Sequence, residues 1–151
     1  MSYEAVEAQF HVVVRLLSDF DATNTSAGKY TILRDPHVSR QWVISRPGSI
    51  LNRERVAVGG RTRTHWSLDF TLFHAFENTL DETIDAIRTA RDSLITHLDA
   101  YPTLNSHVGV HDFFVEAADE PDYGSPGAGR NLWWQNFRST FQEYVTVASA
   151  E

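Results

Sequence analysis

The segment HWSLDFTLFHAFE, residues 65–77, decides the fold. Trp66, Leu68, Phe70, Leu72, His74 and Phe76 alternate with Ser67, Asp69, Thr71, Ala75 and Glu77. A period of two predicts a long strand that buries one face. Directly after it the period changes. Leu80, Ile84, Ile87, Leu94 and Leu98 make a helical stripe that starts at a Thr79/Glu82 capping box and ends at Tyr101-Pro102. Asp81, Glu82 and Asp85 place negative charge on the positive end of that helix.

Working outward, Val6, Phe10, Val13, Leu17 and Phe20 share one side of a helix expected over about residues 3–20. A turn cluster at Asn24, Thr25, Ser26 and Gly28 follows, and short strands are expected at Lys29 to Leu33 and Gln41 to Ser45. Residues 46–64 carry Arg46, Arg53, Arg55, Arg61 and Arg63 against a single acid, Glu54, and read as a long basic loop or hairpin. Beyond the central helix, His107 to Glu116 reads as a strand with Val108, Val110 and Phe114 on one side and Phe113 and Val115 partly on the other, both faces covered near its end. Residues 117–131, AADEPDYGSPGAGRN, read as an acidic Gly/Pro loop projecting from the sheet. The last element is a very long strand from Trp133 to Val147, with Phe137, Phe141 and Val145 on its apolar face.

Long amphipathic strands each bury one face, and the two long helices are their natural cover. The expected fold is α+β: a mainly antiparallel sheet under an N-terminal and a long central helix. The sheet is mixed if residues 65–116 form a right-handed crossover. At 151 residues one domain over 1–151 is expected, large enough to fold without staples. Zero cysteines excludes a disulfide framework and thiolate chemistry. A net charge of -7 argues against coating nucleic acid. Glu4 and Glu7 stand where a secretory signal carries basic residues, so a soluble, unexported chain is expected, with no membrane partner.

Searches for chemistry return structural explanations. Gly124-Ser125-Pro126-Gly127-Ala128-Gly129-Arg130-Asn131 has the glycine spacing of a phosphate loop but lacks its lysine and hydroxyl, and it opens into a strand. His107 and His111 would lie about 13 Å apart along a strand, too far for one ion. Asp81 and Asp85 read as helix-start charges. No catalytic residue, cofactor or metal ligand is assigned. A small binding or enzymatic domain using His65, His74 or Asp69 in a cleft beneath the helices is the remaining chemical alternative.

What is left is surface. Phe73, Trp134 and Tyr144 fall opposite the main apolar stripes, where they meet either a second layer of the chain or a partner. Five arginines at 46–63 contrast with Asp112, Glu116, Asp119, Glu120 and Asp122, and a subunit with one basic and one acidic projection can associate head to tail.

The run Thr64 to Phe73, the helix with Ile87-Arg88 and Arg91-Asp92-Ser93-Leu94-Ile95, its exit Leu98-Asp99-Ala100-Tyr101-Pro102-Thr103-Leu104 and the closing strand, Gly/Pro loop and Trp133 to Val147 strand resemble tail terminator (tail completion) proteins of long-tailed phages. The resemblance covers 4–20 loosely and 63–148 better, and leaves out 29–62. It implies a ring, usually of six, on the head-proximal end of the tail tube, in the virion and, during assembly, the host cytoplasm. The ring ends tube polymerisation, touches the tube protein and a neck or head-completion protein, and lets DNA pass without specific binding. No cofactor is implied. On this reading Arg53, Arg55, Arg61, Arg63, Phe73, Trp134 and Tyr144 are expected in subunit or tube contacts. Asp119, Glu120 and Asp122 are expected against a neighbour or the lumen. Another neck component, a head-closure or adaptor protein, is the alternative.

Overall fold

The computed structural model describes residues 2–57, 60–126 and 129–146. Its elements are α1 (Tyr3–Val14), β1 (Thr25–Ala27), a 3-10 helix (Tyr30–Arg34), β2 (Gln41–Arg46), β3 (Ile50–Ala57), β4 (Arg61–His74), α2 (Leu80–Asp99), β5 (His111–Ala118), β6 (Asp122–Gly124) and β7 (Leu132–Thr146). The fold is α+β, with one mixed seven-stranded sheet in the order β1-β2-β4-β7-β5. β3 adds to β4 below β2, and β6 adds to β7 beside β5. The neighbours β1 and β2 run parallel, and the remaining pairs are antiparallel. β4 and β5 run parallel with β7 inserted between them and α2 linking them, but the sheet is mixed through the parallel β1–β2 pair and not through the 65–116 segment.

The even-numbered residues of β4 and the odd-numbered residues of β7 face the helices. Leu68, Phe70 and Leu72 meet Phe137 and Phe141 there, under Val6, Phe10 and Val13 of α1 and Leu94 and Leu98 of α2. The Phe70 and Phe137 rings stack at 4.9 Å, with Phe10 5.0 Å from Phe70. Such contacts add about 0.5–1.5 kcal/mol each beyond area burial. The helix starts match their caps: Ser2 accepts from the Ala5 N–H and Thr79 from the Glu82 N–H.

Several expected elements differ. α1 stops at Val14 instead of Phe20, where the Arg15 N–H bonds back to His11 and Val13. Three consecutive valines at its end weaken the helix. Successive turns still carry Leu17 and Phe20 onto the core. Lys29 to Leu33 is no strand. Gly28, at φ 78°, turns the chain into one 3-10 turn that buries Leu33 against the reverse face of the sheet.

The 46–64 segment is the hairpin of the two forms considered, and β4 therefore begins at Arg61. The strand expected from His107 begins at His111, because Leu104, Asn105, Ser106 and Gly109 all have positive φ and hold 103–110 in tight turns. Asp112, also at positive φ, sits where the β5 register shifts. Val110 is buried as expected and Phe113 with it, whereas Phe114, beyond the shift, and Val108, in the turn before the strand, are exposed. The 117–131 loop is shorter than expected, since it contains the end of β5 and all of β6. β7 starts at Leu132, one residue early, and Val147 lies outside the described residues.

Candidate assembly surfaces

The β3–β4 hairpin splits its four arginines. Arg53 stands opposite Thr64 and Arg55 opposite Thr62, on the helix side. Glu54 stands opposite Arg63 on the reverse side, the side that Arg61 shares along β4. On that reverse side the charges are used: Arg63 pairs with Glu54, and Arg61 lies over the Tyr144 ring at 5.1 Å. Tyr144 is further held by the edge of His111 and by donating to Gln142 Oε1. Arg53 and Arg55 are exposed and make no ion pair among the described residues. The exposed side chains of Ile50, Leu51 and Val56 flank them.

The acidic end has a fixed backbone and exposed carboxylates, of which Asp122 Oδ1 accepts from the Tyr123 N–H at 2.8 Å. The Asp119 N–H bonds Asn136 O, its carbonyl accepts from Gln135 Nε2 at 2.6 Å, and Asp122 pairs with Trp134 across β6 and β7. Asp119, Glu120 and Asp122 are all exposed. Asp119 borders an open groove of about 370 Å³ on the reverse face with Arg46, Asp69, Asn136 and Arg138. Glu120 borders another, about 340 Å³, with Ile87, Arg88, Arg91 and Trp133. The hairpin meets β7 at Thr146 and the acidic turn meets it at Trp134. The exposed Arg53 and Arg55 lie across β4 from Glu143 and Val145, nine and eleven residues from Trp134, which at about 3.3 Å each puts them roughly 30–36 Å from the acidic turn.

Two aromatics expected at an interface are consumed inside the chain. Phe73 is buried in a second, smaller core on the reverse face with Leu33, Trp42, Ile44, Ala75 and Leu132, and Trp134 packs half-buried against it. The 3-10 turn supplies the cover for that end of the reverse face. Arg130, in the glycine-rich loop, lies over Trp42 at 4.9 Å and donates to Leu33 O, so this loop closes the second core. Gly127 and Ala128 of that loop lie outside the described residues, as does Gly59 of the hairpin.

His65, His74 and Asp69 do not converge. His74 is buried on the helix side with Nδ1 2.6 Å from Ala75 O, whereas Asp69 accepts from Arg138 Nε on the reverse face. His65 is four residues from Asp69 along β4, about 13 Å. Among the described residues no three His, Asp or Glu side chains gather as a metal site.

The sequence reading missed one polar site. Tyr3, Glu7, His11 and Arg15 recur every four residues on α1 and dock it on the β1–β2 side of the sheet. The Tyr3 hydroxyl donates to Arg46 O at 3.3 Å, and Arg15 Nε donates to Thr25 Oγ1 at 2.8 Å. Ser45 Oγ lies 2.7 Å from both Glu7 Oε2 and His11 Nε2. A carboxylate only accepts, so the serine proton goes to Glu7 and Ser45 in turn accepts from His11 Nε2–H. His11 Nδ1 is buried and has no hydrogen-bond partner among the described residues. Burial, and then the Arg15 charge, lower the His11 pKa from 6.5 to about 4, so the ring is neutral. These are the groups of a hydrolytic triad in the wrong order, since the carboxylate holds the serine and not the imidazole. Ser45 is also fully buried beneath α1, where no substrate meets it.

Comparison with protein-family models and with curated proteins returns no match for this chain.

Proposed function

We propose that this chain is a structural ring subunit that caps the head-proximal end of a phage tail tube. The observation that carries the reading is the two-pole charge layout. Two exposed arginines, Arg53 and Arg55, without a partner among the described residues, sit roughly 30–36 Å along the strand from the exposed Asp122, too far to satisfy each other within one chain. Such a subunit completes its electrostatics by meeting further copies head to tail, which closes a ring when the rotation closes. The resemblance of the strand-helix-strand body to tail terminators supplies the identity of the ring. The net charge of -7 supports passage of DNA without grip.

The test is placement in an assembled particle. Immunogold labelling or a low-resolution particle image should find the chain between tube and neck, and particles assembled without it should carry tubes of uncontrolled length. Label at the head vertex, with tube length unchanged, would instead assign the chain to the neck and overturn the terminator reading.

A further inference from the structure

Where the glycine-rich loop closes the second core, an open pocket of about 300 Å³ lies between the 36–40 loop, Trp42, Ala75 and Arg130. Ligand pockets run from about 300 to 1,000 Å³, so this one suits a small molecule. Two guanidinium groups line it from separate stretches of chain. Arg130 lies over the Trp42 ring at 4.9 Å, donates to Leu33 O and makes no ion pair among the described residues. Arg40 donates to Phe76 O and, at 3.4 Å, to Glu77 Oε2. A guanidinium has five N–H donors, so both keep donors to spare.

The Arg40 side of the pocket is built on a fixed backbone. Arg40 has φ 57°, a left-handed conformation uncommon for residues other than glycine. Its N–H bonds His37 O and its carbonyl accepts from the Ala75 N–H, each at 3.0 Å. The fully buried Asn24 ties the same loop down, donating to Gln41 O at 2.9 Å and to His37 Nδ1 at 3.2 Å. A wall held in this way loses little freedom on binding.

The chemistry of the lining is one-sided. His37 Nε2 donates to Asp21 Oδ2 at 3.1 Å, so Nδ1 is the acceptor for Asn24 and neither nitrogen is open. The Trp42 indole N–H has no acceptor among the described residues. No carboxylate lines the pocket, although the chain carries 20 acidic residues.

We infer that this pocket binds a small phosphoryl group, as free phosphate or as a monoester, bridged by Arg40 and Arg130. Two forks arriving from different loops call for more oxygens than one carboxylate supplies, and a phosphoryl group offers three or four. Pro36 and the fully exposed Val38 give the rim an apolar side against which the organic part of a monoester fits. A net charge of -7 opposes long polyanions and leaves a small ligand. The site is independent of the ring-subunit reading.

NMR titration of the isotope-labelled chain with inorganic phosphate, against chloride at matched ionic strength, tests the site. Phosphate should shift the Arg130 Nε–H, Trp42 indole and Arg40 amide signals saturably, and chloride should not. Arg130→Gln should weaken phosphate about tenfold or more, the effect of losing charge-assisted hydrogen bonds. Val38→Asp replaces a fully exposed side chain, leaves the fold intact and sets a repelling carboxylate on the rim, so it carries the test even where loss of Arg130 from Trp42 destabilises the chain. It too should weaken phosphate severalfold. Phenyl phosphate binding more tightly than phosphate identifies the ligand as a monoester, and equal or weaker binding identifies free phosphate. Shifts that do not saturate, that chloride reproduces, or that keep their affinity in Val38→Asp overturn the inference, as does succinate binding more tightly than either phosphate.

Discussion

Two polar rows in this molecule obey the same periodic rule and meet opposite fates. Along α1, Tyr3, Glu7, His11 and Arg15 recur every four residues and each finds a partner on the sheet side beneath. Along β3, Arg53 and Arg55 recur every two residues and find none among the described residues. Regular spacing therefore marks a face, and only the inventory of partners tells whether that face is structural or available. The α1 row costs desolvation and returns it as hydrogen bonds inside the chain. The β3 row stays hydrated until something else arrives.

Gly48 lies where the two regions meet, and replacing it should have the largest effect. A Cβ there would stand 1.7 Å from Ser67 O and 2.7 Å from the Tyr3 hydroxyl, and the first of these is backbone. Gly48→Ala should cost about 3 kcal/mol or more, at or beyond the upper end of overpacking. Urea unfolding would measure it. A loss below about 1 kcal/mol would mean that hairpin and seam are not mechanically joined there.

The pH dependence of stability isolates the α1 row. His11 has a folded pKa of about 4 against 6.5 when unfolded, so the unfolded chain binds a proton that the folded one refuses. Its contribution is complete above pH 6.5 and is lost as pH falls through the window down to 4, by about 3 kcal/mol at 1.36 kcal/mol per unit. Asp21, whose carboxyl is held low by the Thr23 hydroxyl and by His37, acts in the same direction but only below its ordinary value of 3.8. His11→Gln keeps a donor toward Ser45 and should flatten the stability profile between pH 4 and 6.5. An unchanged slope would place the titration elsewhere.

How much of this was legible beforehand follows from what periodicity can carry. β4, α2 and β7 were readable because long elements repeat their pattern many times: Leu68, Phe70, Leu72, Leu94, Leu98, Phe137 and Phe141 of the stripes named for them form the core, whereas Phe76 and Leu80, at the stripe ends, are exposed. The end of α1, the 3-10 turn and the start of β5 were not, because local backbone choices decide them: an early cap at Arg15, a left-handed Gly28, and a run of positive φ at 104–106. The double-sided burial of β4 was misread for a related reason. Phe73 is an apolar residue on a polar face, and whether such a ring meets its own chain or a partner depends on where Tyr30–Arg34 folds, which alternation does not encode. The α1 seam did leave a trace, a four-residue polar repeat beside the apolar stripe. The charge poles were visible as composition, but their separation, and the split of Arg53 and Arg55 from Arg61 and Arg63, needed strand register.

The smaller substitutions sharpen the contrast most, since they change chemistry without changing bulk. Ser45→Ala removes one hydroxyl yet strands two groups, the Glu7 carboxylate and the buried His11 Nε2–H. It should cost about 1–3 kcal/mol, the penalty for unsatisfied buried polar groups. A double-mutant cycle with Glu7→Gln should show coupling, because the two act through one hydrogen-bonded chain. Arg53→Gln with Arg55→Gln removes two full charges, nominally a larger electrostatic change, yet in dilute protein it should shift stability by no more than about 0.5 kcal/mol, as exposed substitutions without partners do. Chemical denaturation at low and high protein concentration distinguishes the cases. If the arginine variant is as stable as the parent when dilute but loses the stabilisation that the parent gains on concentration, the β3 charges act between copies. If it is equally destabilised at both concentrations, the arginines serve the fold of their own chain, and the two rows differ only in how deeply they are buried.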